Sequence, residues 1–183
     1  MQESKIIATF AISKQINMFI FNEDKAINSL FLILNEMEEG CDIHKVCKIL
    51  YFADQKHLVK WGRPITGDNY IKMTYGPVPS KIKNIIDSNN NIQRNGNILS
   101  TTAQYDTDEL SVSEVNCLKE SIEENSKLNF NELTKKSHDK AWNKAELNNQ
   151  KGIPYIEIAK AVTNDTNMLH YIKANELINQ IHF

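Results

Sequence analysis

The sequence predicts a mainly α-helical fold: a single compact helical domain with a small β-ribbon and short strands. Three observations lead there. Apolar residues recur at i, i+3, i+4 and i+7 in several windows. Asn, Asp or Ser stands ahead of most of those windows, where a helix needs an acceptor for its first free N–H groups. The β signals are short and local, the clearest being Asn95-Gly96 between Ile92 and Ile98-Leu99.

Residues 1–22 stand apart from the rest as an N-terminal arm. Ile16, Met18 and Ile20 alternate with Asn17 and Phe19, a weak strand pattern or an arm that needs a partner to cover it. Asn22 then caps a helix whose first turn carries Glu23 and Asp24. Ile27, Leu30, Phe31, Leu34 and Met37 form its apolar stripe, and Gly40 supplies the stop. Asp42 caps the next helix, expected to reach Trp61. Its segment Ile49-Leu50-Tyr51-Phe52-Ala53 is apolar nearly all round, which marks a helix surrounded by protein and the centre of the fold. Gly62-Arg63-Pro64 ends it.

Tyr70–Tyr75 reads as a strand, Gly76-Pro77-Val78-Pro79 as a rigid turn, and Ser80–Asp87 as a helix facing inward through Ile82, Ile85 and Ile86. The run Ser100–Glu109 is polar and reads as loose. Ser111-Val112-Ser113-Glu114 is a capping box, and Asn129-Phe130-Asn131-Glu132 repeats its logic. Ser137-His138-Asp139 leads into a turn or helix with Ala141, Trp142 and Ala145. Pro154 suits a first helical position, and Asp165-Thr166 opens a terminal helix. With no internal repeat and no long linker, one domain over residues 23–183 is the expectation.

Composition narrows the function. The chain has 183 residues, 41% apolar and 24% charged, with 21 Lys plus Arg against 23 Asp plus Glu. A net charge of −2 gives no global reason to hold nucleic acid. No apolar run approaches the ~20 residues of a membrane span. Cys41, Cys47 and Cys117 form no C-x-x-C pair and read as reduced thiols of a cytoplasmic protein. Ile6–Ile12 could pass for a signal-peptide core, but Glu3 precedes it and Ser13-Lys14-Gln15 follows without a convincing cleavage site. Charge is uneven: Asp42–Arg94 holds nine basic and four acidic residues, while Tyr105–Glu124 holds one basic and seven acidic. Such halves either steer a partner or pair with each other across the surface.

Catalytic patterns are absent at the level of motif. No two of His44, His57, His138, His170 and His182 have zinc-ligand spacing, and there is no G-x-S-x-G or phosphate loop, so neither metal nor cofactor is expected. His138 followed by Asp139 could orient an imidazole as a base, or simply bond across a turn. Asp54 projects onto the inward stripe of its helix. It is either a structural clamp, with Arg63, Lys48 or the amides of Ile65-Thr66-Gly67 as partners, or a carboxylate in a cleft. Tyr75-Gly76-Pro77-Val78-Pro79 is stiff enough for either a contact loop or a plain turn.

Three ordered blocks closely resemble the SocA-like antitoxin family, or Panacea domain. They are His44–His57, Gly62-Arg63-Pro64-Ile65-Thr66-Gly67-Asp68, and Tyr75-Gly76-Pro77-Val78-Pro79-Ser80. Ser137-His138-Asp139-Lys140-Ala141-Trp142 is similar to that family's later S-H-x-x-x-W element, and the likeness spans about Asn22 to Val162. The resemblance implies a mostly helical antitoxin of bacterial or prophage origin without catalysis. It would neutralise a toxin encoded beside it by direct protein–protein binding, or serve as an adaptor delivering that toxin to a protease. A hydrolase built on His138 with Asp139 or Asp54 is the remaining alternative. The expected toxin-binding residues are Asp54, Gln55, His57, Tyr75, Gly76, Pro77, Val78 and His138; the expected structural motif is Asp54, Arg63, Pro64, Asp68 and Trp142. Some relatives carry an appended DNA-binding domain. Residues 1–22 are too short for a helix-turn-helix, so no direct nucleic-acid contact is expected.

Overall fold

The computed structural model describes residues 19–37, 39–149 and 152–181, of which 178–181 by backbone alone. The arm expected over residues 1–22 therefore lies outside the described residues as far as residue 18. From its end, Phe19 packs against Tyr155 with ring centres 5.5 Å apart.

Eight helices and two small antiparallel sheets follow in chain order among the described residues. Helix α1 (Glu23–Asn35) starts at Asn22, whose side chain accepts from the Lys25 amide, and it ends short of Gly40. Strand β1 (Cys41–Asp42) leads straight into α2 (Ile43–Trp61), capped by Asp42 at one end and by left-handed Gly62 at the other. The hairpin β2 (Tyr70–Met73) and β3 (Gly76–Pro79) feeds α3 (Ser80–Ser88). Strands β4 (Gln93–Asn95) and β5 (Ile98–Ser100) form the expected ribbon, and β1 adds to its far side to give the order β1-β5-β4. Then come α4 (Val112–Asn125), α5 (Phe130–Ser137), α6 (Lys140–Lys144), α7 (Tyr155–Lys160) and α8 (Thr166–Ile181). Both expected capping boxes, at Ser111/Glu114 and Asn129/Glu132, are formed.

Two details differ from the sequence reading. Gly76-Pro77-Val78-Pro79 is a strand and not a turn; the reversal falls at Thr74-Tyr75, with Lys72 opposite Pro77 and Tyr70 opposite Pro79. Prolines are tolerated because alternate residues of an antiparallel pair face away from the partner strand. Pro77 turns its carbonyl outward to Lys48, while the opposite positions Tyr70 and Lys72 accept from Ile153 and Asn148 on the other edge. The segment read as loose, Ser100–Glu109, is irregular beyond Ser100 but tied down. Asn35 donates to the Ala103 carbonyl, and the Asp106 amide donates to Asn28.

Helix α2 has apolar clusters on both sides. Val46, Ile49, Leu50 and Ala53 join α1, α3, α4 and β5 in one; Tyr51, Phe52 and Leu58 join Tyr70, Leu133, Tyr155, Ile158 and Ile172 in the other. Every residue from Val46 to Gln55 is buried. Part of the charge asymmetry is met within the molecule, since α2 and its flanks pair with α4. Lys56 meets Glu124 at 2.5 Å, Lys60 meets Glu120 at 2.7 Å, and Lys25 and Arg63 both reach Glu114 at 2.5 Å.

Helix α3 begins at Pro79, which offers no capping side chain. Asp68 does that work from twelve residues upstream of Ser80. One of its oxygens accepts from the Lys81 amide and Ser80 hydroxyl, the other from the Ile82 amide at 2.7 Å. Asp68→Ala strands those buried donors and should cost about 2–3 kcal/mol in urea unfolding, with Asp68→Asn losing less.

Candidate partner-binding face

The expected site residues divide into buried and exposed groups. Asp54 is only 1% exposed. One of its oxygens accepts from the Ile65 amide at 2.6 Å and the other from the Tyr70 hydroxyl at 2.7 Å. Of the partners expected for it, the amide of the Ile65 turn is the one realised; Arg63 pairs instead with Glu114 and Lys48 with Pro77. Gln55 is buried and donates to Asp139 at 2.6 Å. His57 is fully buried. Its Nδ1–H donates to the Arg63 carbonyl at 2.8 Å, which leaves Nε2 to accept from the Ser113 hydroxyl. Gly76 and Pro77 are likewise buried. These five residues hold the frame; the surface is formed by others.

That surface is the tip of the β2–β3 hairpin. Three side chains from two helices hold its backbone. His44 of α2 donates to the Tyr75 carbonyl at 3.1 Å, Lys48 of α2 to the Pro77 carbonyl at 2.8 Å, and Trp142 of α6 to the Met73 carbonyl at 3.0 Å. Gly76 has φ +106, and a Cβ there would collide with Ser137 and the Lys48 ammonium. The tip presents Tyr75 at 58% exposure, with Phe130 of α5 edge-on to it at 5.2 Å and Met73 beside it. His138 lies flat on Trp142, ring centres 3.6 Å apart, and Lys72 sits 4.2 Å from the centre of the Trp142 ring on the hairpin side. Between hairpin, α2 and α3 opens a cavity of about 460 Å³ whose lining includes Ile43, Cys47, Ile71 and Val78.

Of the residues expected from the sequence, Tyr75, Val78 and His138 belong to this face; His44, Phe130 and Met73 join it without being among them. Phe130 carried a readable signal: a large aromatic in the first turn of a capped helix has no reason to be there for the cap.

The acid–base dyad does not assemble. Asp139 caps α6 through the Trp142 amide with one oxygen, and the other accepts from Tyr51 and Gln55. The Nε2 of His138 is buried without a hydrogen-bond partner. Cys41, Cys47 and Cys117 are buried and unpaired, and burial pushes the Cys41 thiol up to about 12 and Cys47 to about 11. Among the described residues, no group of three or more His, Cys, Asp or Glu could hold a metal ion, and no helix is long and apolar enough to cross a membrane.

Fold and face together define a small helical domain that displays a stiff, aromatic-rich surface on a hairpin braced by its central helix. A family model confirms the resemblance: the chain belongs to the antitoxin SocA-like family, Panacea domain, with residues 46–143 matched. That span is narrower than the likeness read from the sequence. It runs from the buried stretch of α2 through the hairpin to Asn143 in α6. No curated protein and no solved structure matches the chain.

Burial raises the Asp54 carboxyl from 3.8 to about 7, against the pull of Ile65 and Tyr70. A raised acid contributes stability in full below its unfolded pKa and loses it as pH climbs through the folded one, here between about 4 and 7. His57 runs the other way. Burial lowers it from 6.5 to about 4, so its contribution grows over the same interval. Asp54→Asn keeps an acceptor for Ile65 while removing the first slope. Wild-type stability should therefore stay comparatively flat from pH 4.5 to 7 while the variant's rises with pH, the two diverging by up to ~1.4 kcal/mol per pH unit. Parallel urea-unfolding profiles would show that Asp54 does not titrate in this window.

Proposed function

We propose that this chain is a cytoplasmic antitoxin that neutralises a toxin, encoded beside it, by binding it directly and without catalysis. The contact face is the hairpin tip: Tyr75 and Val78 with Met73 and Phe130, and His138 stacked on Trp142 at its margin. Family membership supports the antitoxin role. The observation that supports the location is the bracing of the Tyr75 turn by three side chains from two helices while its aromatic ring stays in solvent. A binding surface loses affinity when its side chains must first be ordered, and large aromatics held in place avoid that cost. Asp54, Gln55 and His57 serve this face indirectly, by fixing the helix and turns behind it.

Masking requires that occupying a surface is enough. Tyr75→Glu places a charge at the centre of that surface and leaves the frame untouched. In cells expressing the toxin it should abolish growth rescue and co-purification, while the melting temperature stays within about 2 °C of wild type. A folded Tyr75→Glu protein that still rescues would exclude this face. An unchanged toxin half-life with and without the antitoxin is expected for masking; a shortened one identifies proteolytic delivery.

A further inference from the structure

The cavity beside Tyr75 has a chemical character of its own. Its walls are apolar, from Ile43 and Cys47 of α2, Ile71 of β2 and Val78 of β3, yet the charged residues that line it are Lys48 and Lys83, with no Asp or Glu. Lys48 is fully buried. An ammonium carries three N–H donors, and here one is used, by the Pro77 carbonyl at 2.8 Å. Desolvation lowers its pKa to about 8, the mark of a cation without a counter-charge. At the rim, Lys83 of α3 is about half exposed and meets Asp87 at 3.4 Å across one helical turn, a weak surface pair that a better-placed carboxylate can displace. An under-satisfied buried ammonium and a rim lysine around an apolar hollow call for one kind of occupant.

We propose that this cavity receives an apolar side chain of the bound toxin with a carboxylate beside it, the apolar group between Ile43, Cys47, Ile71 and Val78 and the carboxylate facing Lys83 at the rim, with buried Lys48 adding its charge from behind the wall. The assignment rests on the antitoxin reading above and adds to it the chemistry of the toxin segment that docks. A volume of about 460 Å³ lies in the range of pockets that enclose a compact ligand. Two cations without an acid favour an anion and disfavour a basic segment by the same charges.

The chemistry can be tested on the full chain alone with two fluorescent probes of one shape. 1-Anilinonaphthalene-8-sulfonate is apolar and anionic; N-phenyl-1-naphthylamine is its uncharged counterpart. Both should bind a single site on the folded wild type, the anionic probe more tightly. Val78→Trp fills the cavity and should weaken both by about tenfold or more. Thr74→Trp at the exposed rim gives the same readout should Val78→Trp unfold. Lys83→Glu should weaken the anionic probe about tenfold and leave the uncharged one within about twofold. Indifference of both probes to the tryptophan variants overturns the cavity, and equal response of the two probes to Lys83→Glu overturns the carboxylate. Exclusion of both probes by the wild type means that the chain's own residues fill the hollow. A dimer that dissociates in Val78→Trp, by light scattering, makes a second copy the occupant; either result overturns the proposal. None of these outcomes depends on the toxin. Loss of rescue in Tyr75→Glu with no probe binding would leave the antitoxin reading standing and remove this one.

Discussion

The structure turns on a helix whose middle has no solvent face and nevertheless carries polar side chains. From Val46 to Gln55 every residue of α2 is buried, and with His57 this stretch holds a lysine, an aspartate, a glutamine and a histidine. Each such group left without a partner would cost roughly 1–3 kcal/mol, and a charge more. The helix can sit at the centre only if other segments come to meet those groups. Lys48 takes the Pro77 carbonyl, Asp54 the Ile65 amide and Tyr70 hydroxyl, Gln55 the Asp139 carboxylate, and His57 the Arg63 carbonyl and Ser113 hydroxyl. One helix thereby places the following turn, both strands of the hairpin, the start of α4 and the start of α6. The residues that carry the family likeness are largely this set of partners, so the likeness is one of framework.

The framework decides where a binding face can be and leaves its chemistry free. Tyr75 and Met73 project from a backbone whose carbonyls are already held by His44, Lys48 and Trp142, and Phe130 of α5 lies against Tyr75. Altering the exposed rings removes little buried area, whereas altering Lys48 or Asp54 breaks bonds that nothing else replaces. On the proposed reading, exchanging tip residues would change the partner recognised while the interior is kept. That separation follows from burial and hydrogen bonding alone.

Helix boundaries were readable because capping is local. Asn22, Asp42, Ser111, Asn129 and Asp139 each satisfy amides two or three residues away, and the spacing is visible in the sequence. The central position of α2 was readable from its all-round apolar stretch. What escaped depends on contacts between distant segments. Asp68 caps a helix that starts twelve residues later, which no local pattern records. Pro77 and Pro79 resemble turn punctuation until a pairing partner shows that their missing N–H groups point off the sheet. Asp54 and His57 carry the residue types of a working site, and burial makes them framework. Phe130 joins Tyr75 only because α5 packs beside the hairpin, a tertiary fact with the faintest trace in sequence.

Two carboxylates near the same end of α2 illustrate why residue type alone misleads about role. Glu114 is as buried as Asp54, and burial pushes both upward. Lys25, Arg63 and the Ser111 amide overcome that push at Glu114 and hold it at about 2, whereas Asp54 meets only neutral donors and stays near 7. Glu114 is thus a permanent anion joining the end of α2, the start of α1 and the start of α4. Asp54 is a carboxyl that can enter the core neutral. The acidic α4 therefore owes part of its charge to internal anchoring, and two of its other three glutamates, Glu120 and Glu124, are engaged by Lys56 and Lys60. Beside the hairpin tip, Lys48 has a carbonyl for partner and Lys83 an exposed aspartate. On the proposed reading, these two cations lie at the same place as the exposed aromatic rings, so that one small surface would supply both anchoring and discrimination.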